Sequence, residues 1–205
     1  MHHLVHAFIK RFGGAQAKQR VWNTEFSAGK WDYLDNAHPA ARDFVLDVIE
    51  QYSEDGDILD LGCGSGGTGL EIRNIYRLYL GVDISQVAIQ KAIDALQNSN
   101  DHTRKNDYIA ADIATFVPPG TYSVIVFRES LYYFPLRTAA KLLVRYSAFL
   151  KPGGVFIVRI HDAQRHAKLI RLILEKYTVV HARSEGELCR VLAFLPSPKP
   201  DNPGG

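Results

Sequence analysis

Disulfide-forming capacity is nearly absent from this chain. Two cysteines, Cys63 and Cys189, lie far apart in 205 residues, and neither belongs to a C-x-x-C pair. That spacing argues against a disulfide framework and a thiolate metal site, and it makes a reducing, cytoplasmic location the expectation. Charge of one sign is scarce too. The 24 Lys and Arg residues against 22 Asp and Glu give a net charge of +2, with no dense basic run, so nothing calls for a nucleic-acid partner. No apolar stretch approaches the length that crosses a membrane. The opening "MHHLVHAFIKRFGG" has an apolar core too short for a secretory signal, and Lys10 and Arg11 break it. His2, His3 and His6 lack closed ligand spacing, so no metal is expected. Internal repeats are missing as well.

What remains is an ordinary globular composition, 46% apolar and 22% charged, in a chain long enough to bury a substantial core as one domain. In "HPAARDFVLDVIEQY" (38–52), Ala41, Phe44, Val45, Val48, Ile49 and Tyr52 share one helical face, and His38-Pro39 suits a helix start. Strands and helices then alternate. "DILDLG", "YRLYLGVDIS", "DYIAAD", "YSVIVFRE" and "GGVFIVRIHD" read as strands. "GTGLEIRNI", "SQVAIQKAIDALQNS", "LRTAAKLLVRYSAFL" and "AQRHAKLIRLILEKY" read as helices. Short continuous apolar strands between amphipathic helices predict an α/β fold, a mostly parallel sheet with helices on both faces. The runs 177–183 and 188–195, joined by "SEGE", predict a closing antiparallel β-hairpin. Residues 196–205 hold four prolines and two glycines and read as a disordered tail. The expected layout is an N-terminal segment 1–37, a main unit 38–195 and that tail.

The chemistry-bearing stretch is "DILDLGCGSGGTGLEI" (57–72), where a strand breaks into glycines before a helix. Such a turn brings a ligand against bare backbone. Gly62, Gly64 and Gly67 fit the dinucleotide pattern G-x-G-x-x-G, while Asp60, Gly62, Gly64 and Gly66 fit D-x-G-x-G-x-G, associated with S-adenosylmethionine (SAM). Asp83, ending the second strand, suits ribose hydroxyls in either case. Three features favour SAM: Asp112 after the third strand, able to receive an adenine amino group with Ile113 beside it; Asp60, near where an α-ammonium would lie; and the closing hairpin, which dinucleotide folds generally lack.

Taken in order, "ILDLGCGSGGTG", "LGVDIS", "AADIATF", "YSVIVFRESLYYF" and "LKPGGVFIVRI" resemble the class I SAM-dependent methyltransferase family over residues 38–195. The resemblance implies a seven-stranded Rossmann-like sheet, with SAM as methyl donor and S-adenosylhomocysteine as product. It implies cofactor contacts from Asp60, Gly62, Cys63, Gly64, Gly66, Asp83, Ile84, Asp112, Ile113, Arg128 and Trp31.

"FRESLYYF" (127–134) follows the fourth strand, where this fold places reacting groups. It is neither N-P-P-Y nor D-P-P-Y, and it has no Pro-Cys pair, so methylation of nucleic-acid bases at amino groups or through a cysteine adduct is not supported. It is similar instead to the E-x-L-Y-Y loop of small-molecule and sugar methyltransferases of the nodulation N-methyltransferase type. Glu129 and Arg128 are the expected catalytic residues, with His161 in "RIHD" as a second candidate base. Tyr132, Tyr133, Trp22 and Tyr33 are expected to shape the acceptor pocket. The aromatic stretch 21–36 is expected to form a lid, with Trp31 and Tyr33 stacking on cationic groups. The resulting expectation is methyl transfer to oxygen or nitrogen of a small polar metabolite or sugar-like acceptor. The alternatives are a non-catalytic SAM-binding protein, a methyltransferase acting on protein or RNA, and an NAD-dependent oxidoreductase. Sequence leaves the oligomeric state open.

Overall fold

The computed structural model describes residues 2–32, 43–73 and 75–198. Two helices lead, α1 (His2–Phe12) and α2 (Ala15–Ser27), followed by α3 (Phe44–Tyr52). The sheet then builds through β1 (Asp57–Leu61), α4 (Gly67–Glu71), β2 (Leu78–Asp83), α5 (Gln86–Asn98), β3 (Asn106–Ala110) and β4 (Tyr122–Arg128). It ends with α6 (Leu136–Ser147), β5 (Leu150–Ile160), α7 (Ala167–Lys176), β6 (Tyr177–Glu185) and β7 (Cys189–Pro198). The seven strands lie in the order β3-β2-β1-β4-β5-β7-β6. The first five are parallel, and β7 runs antiparallel to both β5 and β6. This is the α/β sheet with closing hairpin expected from the sequence.

Strand alternation divides the core into two layers. Ile125 and Phe127 of β4 point to one face with Leu59, Leu61, Phe156 and Phe194. Val124 and Val126 point to the other, where α3 inserts Val45, Val48 and Ile49 at 0–1% exposure. Those three α3 residues lie on the helical face predicted from their spacing. Asp43 starts the helix by accepting the Val45 N–H at 2.8 Å. Ala41, the His38-Pro39 start and Tyr33 lie outside the described residues, as do the tail residues from 199 onward.

Three boundaries differ from the sequence reading. The helix expected over "GTGLEIRNI" stops at Glu71, because Ile72 turns fully into the core and Glu50 Oε1 takes the Arg73 N–H at 2.8 Å. β5 begins at Leu150 rather than at Gly153: Tyr122 pairs with Leu150 and Val124 with Val155, so the "KPGG" turn is an irregularity inside the strand. β7 runs to Pro198, three residues into the segment read as tail. Its pairing with β5 ends at Phe194, so Pro196 and Pro198 sit where a missing N–H costs little.

The chain passes from β1 through β2 to β3 on one side and returns to β4 on the other, so the strand order reverses between β1 and β4. A crevice opens at their carboxyl ends. Among the described residues, no helix is long and apolar enough to cross a membrane.

Candidate active site

At that crevice lies a cavity of about 570 Å³. Its floor is the turn after β1. Gly62 has φ +88°, and a Cβ there would run into Ser130 Cβ; Gly66 has φ +84°, and its Cβ would lie 2.8 Å from Ala92 Cβ and 2.9 Å from Tyr108 Oη. Only glycine relieves both the left-handed backbone and the close packing. Gly62, Gly64 and Cys63 line the cavity, whereas Gly66 supports the turn from behind. Cys63 is buried, and its thiol is pushed well above its ordinary range by burial and by Asp83 and Asp60.

Asp60 ends up fully buried inside β1 yet on the cavity wall. Its Oδ2 accepts the Tyr79 phenol at 2.6 Å, while Oδ1 has no hydrogen-bond partner. Burial, opposed by the Tyr79 bond and by the charge of Arg128, raises its pKa to about 6. Asp83 is buried at the end of β2 and accepts backbone N–H groups from Ser85 (2.8 Å, on Oδ1) and Gly64 (3.1 Å, on Oδ2). Burial outweighs these bonds and again places its pKa at about 6. Asp83 thus ties the end of β2 to the glycine turn. Ile84 follows it on the wall, its carbonyl accepting Gln19 Nε2 of α2. Asp112 and Ile113 close the same side. Asp112 Oδ1 caps the next turn by accepting the Ala114 N–H, and the Ile113 carbonyl accepts Tyr146 Oη at 2.7 Å.

Opposite stand charged residues from the ends of β4 and β5. Arg128 donates to Thr68 Oγ1 at 3.1 Å and pairs with Asp43 at 2.5 Å. Glu129 lies on the wall with φ +58°, a conformation rarely tolerated by a non-glycine residue and common at functional sites. Both of its oxygens are engaged: Oε1 pairs with Arg159, and Oε2 accepts Tyr132 Oη at 2.7 Å and the His161 N–H at 2.9 Å. Arg159 pairs in turn with Glu185 at 2.8 Å, so the β6–β7 turn is fastened to the ends of β4 and β5.

The roof is aromatic. Trp22, Phe26, Trp31 and Tyr133 line the cavity, and Trp22 meets Tyr133 edge-on with ring centres 4.9 Å apart. The structure therefore brings together most of the residues expected from the sequence but, besides Gly66 behind the turn, leaves two aside. Tyr132 packs behind the wall, stacked on His166 at 4.5 Å. His161 turns away from the cavity, with Nδ1 3.2 Å from Cys189 Sγ. The residue of this strand that reaches the cavity is Arg159, two positions earlier, which sequence reasoning passed over. Asp43, Thr68, Glu185 and Lys10 were also missed.

The profile of the methyltransferase-domain family matches residues 33–193. The chain belongs to that family. Its fold is similar to the N-methyltransferase NodS of Bradyrhizobium japonicum, solved with S-adenosylhomocysteine, at TM-score 0.60 and 21% identity over 74% of this chain and 83% of that one. It is also similar to magnesium protoporphyrin IX methyltransferase of Synechocystis PCC 6803, solved with SAM, at TM-score 0.64 and 13% identity over 86% and 96%. Among curated proteins it matches mRNA cap guanine-N(7) methyltransferase 1 of Oryza sativa subsp. japonica, 28% identical over 140 residues, which is 60% of this chain. The match spans 38% of that relative's length.

Proposed function

We propose that the protein binds SAM over the glycine turn and methylates an oxygen or nitrogen of a small polar acceptor, in the cytoplasm, under a lid to which α1 and α2 contribute. The observation that carries this reading is Asp60. A fully buried carboxylate on the cavity wall, with one oxygen lacking a hydrogen-bond partner, is costly until a donor meets it. The α-ammonium of SAM is such a donor. Asp83 would receive the ribose hydroxyls and Asp112 the adenine amino group, with Ile84 and Ile113 against the ring. Arg128, beside Asp60, would receive the methionine carboxylate.

SAM, when bound, supplies an electrophilic methyl on a sulfonium. The chain's own part is to align the acceptor, exclude water and move a proton. Glu129 suits alignment better than proton abstraction, because Arg159, Tyr132 and the His161 amide already occupy its oxygens. Tyr133 and Trp22 would enclose the acceptor.

The test is an acceptor screen scored by S-adenosylhomocysteine production, covering polyols, amines and a guanosine cap dinucleotide, the last because of the rice relative. Turnover with a polyol or an amine is expected. Tight S-adenosylhomocysteine binding with no turnover on any acceptor would instead indicate a SAM-binding protein without catalysis. Tight NAD binding with no response to S-adenosylhomocysteine would overturn the reading.

A further inference from the structure

One cation already sits in the acceptor end of the cavity. Lys10 of α1 is 8% exposed, and its Nζ lies 3.7 Å from the Trp22 ring centre, 5.2 Å from that of Trp31 and 5.5 Å from that of Tyr133. All four residues line the cavity. Three aromatic faces around one ammonium group form the arrangement that recognises ammonium and methylated ammonium ions. We propose that Trp22, Trp31 and Tyr133 are an ammonium-recognition box, filled here by Lys10, and that the acceptor is a small molecule whose own ammonium group takes the place of Lys10. This rests on the reading of the cavity as a methyl-transfer site and narrows its acceptor to molecules that carry an ammonium group as a recognition handle, the methyl going to a different, unprotonated nitrogen or oxygen of the same molecule.

Two observations separate a displaceable occupant from a fixed structural pair. The first is Glu25, 5% exposed, which accepts Lys10 Nζ at 2.6 Å but also Lys30 Nζ at 3.1 Å and Trp31 Nε1 at 3.1 Å. Withdrawal of Lys10 therefore leaves this buried carboxylate paired, avoiding the large cost of a stranded charge. The second is the way α1 is seated. Val5, Phe8 and Phe12 are 50%, 64% and 58% exposed, while the charged Lys10 points inward. Among the described side chains of α1, Lys10 is the buried one and an apolar stripe faces solvent, so moving those residues uncovers little hydrophobic core. Burial also lowers the proton affinity of Lys10 against the opposing pull of Glu25. A more weakly hydrated methylated ammonium loses less on entering the same box.

The experiment exploits a compositional accident: the chain has two tryptophans, and both are walls of the box, so intrinsic tryptophan emission reports on it alone. Lys10→Ala, checked as folded by circular dichroism, is titrated with tetramethylammonium chloride and with tert-butanol as a neutral counterpart, at constant ionic strength. A saturable emission change with the cation, absent with the alcohol and at least tenfold weaker in wild type, is the expected result. Equal responses to cation and alcohol, or equal responses of variant and wild type, overturn the box. If Lys10→Ala does not fold, two measurements take its place: Lys10→Met, which keeps the buried stem, and the rate of Lys10 acetylation in wild type by mass spectrometry. The second should rise several-fold with saturating tetramethylammonium, and an unchanged rate counts against the proposal. S-adenosylhomocysteine calorimetry on the same samples separates the two levels of inference. Retained binding with no cation response sinks the box alone, whereas wild type that fails to bind S-adenosylhomocysteine sinks the methyl-transfer reading beneath it.

Discussion

Cofactor affinity should weaken steeply as pH falls through 6, and Asp60 is the reason. In the free protein Asp60 and Asp83 both carry pKa values of about 6, raised mainly by burial. An ammonium placed on the unpartnered Oδ1 of Asp60 adds an opposite charge and a donor, which draws the pKa back toward the ordinary value of about 4. Protonation then competes with binding. For one group falling from about 6 free to about 4 bound, the apparent Kd at pH 5 is weaker than at pH 8 by (1 + 10)/(1 + 0.1), about tenfold. About 0.8 proton is released on binding at pH 5, the difference between protonated fractions of about 0.91 free and 0.09 bound. If Asp83 responds in the same way to ribose hydroxyls, the combined loss approaches about 100-fold, or about 2.7 kcal/mol. The sign for stability is opposite. A carboxylate with a raised folded-state pKa holds its proton more tightly when folded, so the free protein loses stability as pH rises from about 4 through 6. The assay is calorimetry with S-adenosylhomocysteine from pH 8 to pH 5 in buffers of different ionisation enthalpy. A Kd that stays flat across that range in folded protein, with no proton release, would refute the reasoning. Asp60→Asn should remove the Asp60 share of the slope.

Four substitutions test other contacts. Tyr79→Phe deletes the 2.6 Å donor to Asp60, so the pH midpoint for cofactor binding should move upward, seen in the same calorimetry. Asp83→Ala should weaken S-adenosylhomocysteine binding by about 1.5–3 kcal/mol through lost charged hydrogen bonds; because it also frees the Gly64 and Ser85 N–H groups, the melting temperature of the free protein should fall. Gly66→Ala meets a left-handed backbone, which alone costs about 1–2 kcal/mol, and a Cβ contact at 2.8 Å, so a lowered thermal midpoint and poor cofactor binding are expected. Glu129→Gln breaks the pair with Arg159; turnover on an identified acceptor should fall about 10–10²-fold from misalignment, with an unchanged pH profile, whereas loss of one limb of that profile would restore Glu129 as the base.

The sheet was legible because its signals are local. Five glycines and two acids around Asp60 and Asp83 demand a turn of one kind, and continuous apolar strands such as "SVIVF" report burial on both faces without reference to the rest of the chain. The errors fall where a distant partner decides. Glu50 stops α4 by accepting the Arg73 N–H across 23 positions, and no helix propensity within "GTGLEIRNI" registers that. Pro196 and Pro198 look like punctuation until the strand order shows that one side of β7 is unpaired there.

The candidate site was legible in proportion to how much of it lies on one segment. The proposed cofactor floor is a single turn plus two strand ends, and sequence spacing links its residues. The proposed acceptor end draws Lys10 from α1, Trp22 from α2, Tyr133 from the turn after β4 and Arg159 from β5, and no sequence spacing links them. His161 attracted attention because histidine titrates near neutrality, yet β5 ends at Ile160 and the side chain turns toward Cys189. Arg159, inside the strand, keeps the alternation that aims it at the cavity, where it holds Glu129 and Glu185 together. Residue chemistry alone favoured the titratable group. The pleat favoured the arginine, which holds the Glu129 carboxylate on the cavity wall in a backbone conformation that is costly without such a partner.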